Sequence, residues 1–137
     1  MATRVRKAEY YSMKVPNRPG AGAKLLETLK AEGVGLLAFT GFPVRGGVQV
    51  DFIPQNGTTF RRAAKRAGWK VSVRKTVFLM QGDDRVGALS GVLGKLAAAR
   101  ISLTALDAAI AGGGRYGAMF WVKKKDVARA ARLLRAR

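Results

Sequence analysis

The sequence of 137 residues contains no cysteine and no histidine. The first absence removes disulfides and thiol nucleophiles, the second removes an imidazole general base, and together they remove Cys/His zinc sites. Acidic residues are scarce as well: 8 Asp plus Glu stand against 26 Lys plus Arg, a formal charge of +18. So few carboxylates, diluted in positive charge, make a metal site hard to assemble, and no cofactor is expected. Long apolar runs are also missing. Those present, such as Val34 to Phe39, fall far short of the roughly 20 residues a membrane helix needs. The basic N-terminus, Met1 to Lys7, runs into Glu9 and two tyrosines without an apolar signal segment. These absences predict a non-enzymatic cytoplasmic protein with no membrane attachment.

What is present is a core and a dispersed charge. Hydrophobic residues make up 48% of the chain, too many for a disordered basic tail. Residues 1–74 carry 14 basic and 4 acidic residues, and residues 75–137 carry 12 and 4, so neither end is a charged arm. Half of the cations gather in two stretches, Arg61-Arg62-Lys65-Arg66-Lys70-Arg74 and Lys123-Lys124-Lys125-Arg129-Arg132-Arg135-Arg137.

Those stretches occupy matching places in an internal repeat. Shifted by 67 positions without a gap, Met13 falls on Met80, Arg18 on Arg85, Gly20-Ala21 on Gly87-Ala88, and Leu26 on Leu93. Leu29 falls on Leu96, Leu36 on Leu103, Gly46-Gly47 on Gly113-Gly114, and Ala63-Ala64 on Ala130-Ala131. Each copy reads β-α-β-β-α-β. In the first, the Tyr10–Val15 strand is stopped by Pro16 and Pro19. Gly22, Leu25, Leu26 and Leu29 have helical spacing, and Gly33 suits a helix end. Val34–Phe42 and Val48–Ile53 form a hairpin, with Val48, Val50 and Phe52 on one face. Phe60, Ala63, Ala64 and Ala67 stripe a second helix closed by Gly68, and Trp69–Arg74 is the last strand. In the second copy, Val77–Met80 is apolar on both faces and therefore central. Helix stripes follow at Leu89, Val92, Leu93, Leu96 and at Val127, Ala130, Ala131, Leu134. Between them lies the hairpin of Ile101–Ile110 and Tyr116–Val122. No residues remain for a final strand in the second copy.

The expected architecture is α+β: two tandem ferredoxin-like βαββαβ units, residues 9–74 and 75–137, each an antiparallel sheet with its helices on one face. The second lacks its final strand, which exposes an edge that must be paired. Another unit, residues 3–9 or a second chain would serve, and the expectation is a homodimer.

The loop Val15-Pro16-Asn17-Arg18-Pro19-Gly20-Ala21, followed by Leu25-Leu26 and Gly33-Val34, resembles the ACT domain family. So does Asp84-Arg85-Val86-Gly87-Ala88-Leu89, followed by Val92-Leu93 and Arg100-Ile101-Ser102. Such a loop presents backbone N–H groups at a helix start, where partial positive charge favours a carboxylate. The resemblance implies a regulatory protein that binds a small molecule, an amino acid, with the start of a second strand supplied by a partner unit. It implicates Asn17, Arg18, Pro19 and Gly20 with Leu36 and Leu37, and Asp84, Arg85, Val86 and Gly87 with Leu103 and Thr104. Val86 departs from the pattern, which has Pro there. The plainer reading is that both loops are tight turns whose Asn17 and Asp84 cap helices.

The rival function is RNA binding on a ferredoxin-like sheet. Val77-Phe78-Leu79 and Arg115-Tyr116-Gly117-Ala118 partly match the strand motifs on which bases stack. Met119, where an aromatic is wanted, speaks against it. The basic helix faces read as solvated surface, the Asp83-Asp84 pair as a poor metal site, and Trp69, Trp121, Tyr10 and Tyr11 as core or interface aromatics. Gly112-Gly113-Gly114 precedes a strand, so it is a hairpin tip and not a phosphate loop.

Overall fold

A strand from Arg4 to Val15 (β1) opens the chain in the computed structural model, which describes residues 3–137. There follow α1 (Ala21–Ala31), β2 (Leu36–Val44), β3 (Gly47–Pro54), α2 (Gly57–Ala67) and β4 (Lys75–Asp83). Then come α3 (Ser90–Ala98), β5 (Leu103–Gly112), β6 (Arg115–Val122), a short 3-10 turn at Lys124–Asp126 and α4 (Val127–Leu134). The protein is α+β, and its strand pairs are antiparallel. Residues 9–75 form one compact unit; residues 3–8 with 76–137 form another.

In the unit of residues 9–75 the strand order is β2-β3-β1. Tyr11 lies opposite Phe52, Met13 opposite Val50 and Val15 opposite Val48, so the period-two alternation turns one apolar face toward the helices. Phe52 is the centre of that core, with Phe60, Phe39 and Trp69 rings at 5.0, 5.4 and 5.6 Å. Leu25 and Leu29 seat α1 on the core, while Leu26 and Ala67 are exposed, so both helix stripes are one position narrower than the spacing predicts. The Asn56 side chain caps α2 by accepting from the Thr59 N–H at 3.1 Å.

Trp69–Arg74 corrects the expected last strand. It forms no regular ladder. Ser72 N–H donates to the Ser12 carbonyl at 2.8 Å, but the Ser12 N–H is taken by Ser72 Oγ at 3.0 Å instead of by a backbone carbonyl. That hydroxyl also donates to the neighbouring Val73 carbonyl at 2.8 Å. A serine side chain has displaced the next rung, as short hydroxyl side chains do. Trp69 and Val71 still pack on the core; Val73 is exposed.

The other unit orders its strands as residues 4–8 of β1, then β4, β6 and β5. Phe78 and Phe120 lie opposite each other and stack at 5.1 Å, with Leu96, Ile101, Tyr116 and Ala130 around them. Val5 packs against this core, and the Lys7 N–H donates to the Arg137 carbonyl at 2.9 Å. The edge expected to lie open is therefore covered by the chain's own N-terminal stretch. The missing strand gives no ground for a second chain.

The repeat is visible in the helix ends. Gly33 (φ 70°) and Gly68 (φ 74°) turn α1 and α2 out through the left-handed region that favours glycine. The residues 67 positions on are Arg100 (φ 58°) and Arg135 (φ 54°), the two non-glycine residues with positive φ among those described. The backbone turn is kept; the residue suited to it is not.

Tyr116 is buried and its hydroxyl has no hydrogen-bond partner among the described residues. Its ring sits against Gly82, where an added Cβ would meet it at 2.8 Å. An unsatisfied buried hydroxyl costs about 1 kcal/mol or more. Tyr116→Phe is accordingly expected to raise unfolding free energy by about 1 kcal/mol in a urea titration, with an unchanged m-value; a loss of stability would contradict it.

Candidate functional site

The loop before α1 is exposed from Pro16 to Gly20. Two backbone bonds shape it: Arg18 N–H to the Pro16 carbonyl (3.1 Å) and Ala21 N–H to the Arg18 carbonyl (3.3 Å). Gly20 has φ 86°, and nothing lies within 4 Å of where its Cβ would be. Glycine is therefore needed for the left-handed turn, while the space beside it stays open. No side chain caps α1, no acidic residue lies in its first turn, and Asn17 makes no side-chain hydrogen bond among the described residues. The expectation that Asn17 serves as a helix cap fails. Its amide and the N–H groups of Gly22 and Ala23 keep unspent hydrogen-bonding capacity, while that of Ala21 is turned back on Arg18.

The loop at Asp84-Arg85-Val86-Gly87 is built differently. The Asp84 N–H donates to the Gly114 carbonyl (2.9 Å), tying the loop to the β5–β6 hairpin tip, where Arg115 pairs with Asp83 at 3.0 Å. Ala88 N–H donates to Arg85, and Ser90 N–H and Oγ both donate to Gly87. The regular helix begins at Ser90, two positions later than the repeat places it. Val86 stands where the first loop has Pro19, whose fixed φ starts a helix directly; Val86 is itself fully exposed. Asp84 does not cap α3 either.

The second-strand residues lie elsewhere in each unit. Leu36 packs on the core and Leu37 is 41% exposed, at the start of β2. Between them and Asn17–Gly20 lies α1, eleven residues long, or about 16 Å of helix. Leu103 and Thr104 stand in the same relation to Asp84–Gly87, beyond α3. Neither unit by itself brings its loop and its second-strand residues together. One feature was not foreseen: both strands are bulged at the implicated residue. The register skips between Leu36 and Ala38, and between Leu103 and Ala105, leaving Leu37 and Thr104 as the extra residues. Bulges re-aim side chains and recur beside binding sites.

The aromatics offered for base stacking are not available. Phe78 is completely buried and Tyr116 nearly so, both in the core beneath the helices. No helix among the described residues is long and apolar enough to cross a membrane.

No family model matches the chain, and no curated protein matches it. Solved structures do. Protein BT0572 from Bacteroides thetaiotaomicron aligns with a TM-score of 0.76 at 19% identity, over 97% of this chain and 88% of that one. The ligand-free regulatory subunit of aspartate kinase from Thermus thermophilus aligns at 0.65 with 11% identity, over 98% and 96%. A putative C-terminal regulatory domain of aspartate kinase from Porphyromonas gingivalis W83 aligns at 0.56 with 13% identity, over 97% and 93%. The fold is ACT-like. At these identities the likeness is one of fold, and it extends over nearly the whole chain.

One polar cluster on the ACT-like fold carried no sequence signal. Asp51 on β3 is buried and accepts from Thr40 Oγ1 (3.0 Å) and Gln49 Nε2 (3.1 Å). Lys75 Nζ donates to Ser12 Oγ at 3.1 Å and lies 5.1 Å from the centre of the Tyr10 ring. Burial, with the Asp51 carboxylate adding to it, pushes the Tyr10 phenol above its ordinary 10.0. The folded state then holds the phenolic proton more tightly than the unfolded chain does. Tyr10's contribution is complete below the unfolded pKa and is lost as pH rises through the folded one. Tyr10→Phe is expected to flatten the fall in stability above about pH 10, read as the difference between the two proteins' Tm-against-pH curves; parallel curves would refute the assignment.

Proposed function

We propose that this chain is a non-enzymatic regulatory protein that binds a small molecule, an amino acid, through two ACT-like units spanning residues 9–74 and 75–137. The observation that carries the reading is the loop Asn17-Arg18-Pro19-Gly20. It is an exposed, uncapped helix start with an unengaged Asn side chain and open space over Gly20. The first-turn amides and the positive end of the helix suit the ligand's carboxylate. Asn17 offers an amide oxygen to its ammonium group and an N–H to its carboxylate. Leu36 and Leu37, brought by a partnering unit of a second copy, supply the apolar wall that a side chain would touch. Asp84-Arg85-Val86-Gly87 with Leu103 and Thr104 form the weaker counterpart, because Val86 loosens the helix start and Asp84 presents a negative charge to a carboxylate. The aspartate kinase regulatory subunits of the same fold support a regulatory role.

Ligand capture between copies would shift assembly only by the difference in its affinity for the two states. The protein acts as a homodimer in the cytoplasm on this reading. A thermal-shift screen of the twenty amino acids tests it, since a ligand bound by the folded state alone raises Tm. One or a few amino acids are expected to stabilise the protein at millimolar concentration. Asn17→Ala is expected to weaken that ligand about tenfold, and Asp84→Ala less. A flat screen, or equal losses in the two variants, would overturn the reading.

A further inference from the structure

We propose that the cavity at the end of α4 is a second binding site, for a small anion bearing several phosphate groups. The cavity, about 450 Å³, lies among Lys7, Arg132, Arg135 and Arg137 over a floor of alanines. That volume falls in the range of small-molecule sites. Its cations come from three places: Lys7 from β1, Arg132 from α4, and Arg135 and Arg137 from the chain beyond that helix.

Part of the surface charge is neutralised where it stands. Arg61 and Arg74 lie on Glu9, Arg66 on Glu32, Arg115 on Asp83 and Arg129 on Asp126. None of the four cavity cations is in an ion pair among the described residues, and no acidic side chain lines the cavity. Four like charges around one small space repel each other, and a single multivalent anion relieves every one of those repulsions at once. Three of the four are arginines, whose planar forks hold phosphate oxygens in pairs. The small floor side chains leave room for such an anion to approach.

The backbone shows that the arrangement is held in place. Arg135 N–H donates to the Arg132 carbonyl and Ala136 N–H to the Ala131 carbonyl (2.9 Å), while Lys7 N–H fixes Arg137. The same pair of helix-ending bonds closes α2, from Gly68 to Lys65 and from Trp69 to Ala64. There the left-handed residue is glycine, which adopts that conformation freely; in α4 it is Arg135. An arginine stands at the one position of the motif where glycine serves the fold better, and it lines the cavity.

That opposition between fold and site supplies the test. Full-length protein is titrated with inorganic tripolyphosphate by calorimetry at physiological ionic strength, with ATP as a second probe. Saturable binding of one tripolyphosphate per chain is expected. Arg135→Gly is expected to weaken it about tenfold or more, while the Tm without ligand holds or rises, as it should when glycine replaces a left-handed arginine. Lys65→Ala, on the basic face of α2, and Asn17→Ala, in the amino-acid loop, are expected to leave the affinity unchanged. ATP binding with the same dependence on Arg135 supports the site with a nucleotide as the source of the phosphates; tripolyphosphate alone supports it with a free oligophosphate. Absence of saturable binding at millimolar tripolyphosphate would overturn the proposal. So would equal losses in Arg135→Gly and Lys65→Ala, which would mark a diffuse charge effect, or an RNA duplex that binds and is not displaced by tripolyphosphate.

Discussion

The edge beside the first strand of each unit is the constraint on which the rest of the structure depends. A sheet with helices on one face leaves backbone N–H and C=O groups bare along that edge unless another segment covers them. The two units meet the same requirement with different parts of the chain. Residues 9–75 return their own tail, Trp69–Arg74, which seats Trp69 on Phe52 and closes the edge with one backbone bond and the Ser72 hydroxyl. The other unit uses residues 4–8, with Val5 against its core. Once both edges are covered within the chain, any assembly of copies has to be argued from the loops and bulged strands.

The 67-residue repeat and the apolar periodicities made much of the fold legible. They place all four helices and both hairpins, and they name Phe52, Leu29, Phe78 and Leu96 as inward-facing. What escaped depended on competition that pattern alone does not encode. Ser72 follows a strand alternation, yet its hydroxyl outcompetes the next carbonyl for the Ser12 N–H. Arg4 to Ala8 alternates poorly because charges surround Val5, so nothing in the pattern marks it as the covering strand.

At the candidate site the legible part was the loop itself; the illegible part was what its side chains do. Asn17 and Asp84 have the composition of helix caps, but Gly20 and Leu89 occupy the capping positions and neither helix receives a side-chain cap. The exchange of Pro19 for Val86 was readable as lost rigidity, and the structure gives it a form in the delayed start of α3. The bulges at Leu37 and Thr104 were not readable, since a bulge is a property of register between two strands and leaves no mark on one.

The use of residues 4–8 has a consequence for biosynthesis. These residues are made seventy and more residues before Phe78 and Phe120, whose core Val5 joins. At ordinary translation rates the wait for Phe78 is roughly 4–14 s. During that wait the segment, able to pair with any open strand, has no partner of its own. Arg4, Arg6 and Lys7, which flank Val5, put repulsive charge on that segment, the usual protection of a strand that has to wait for its partner.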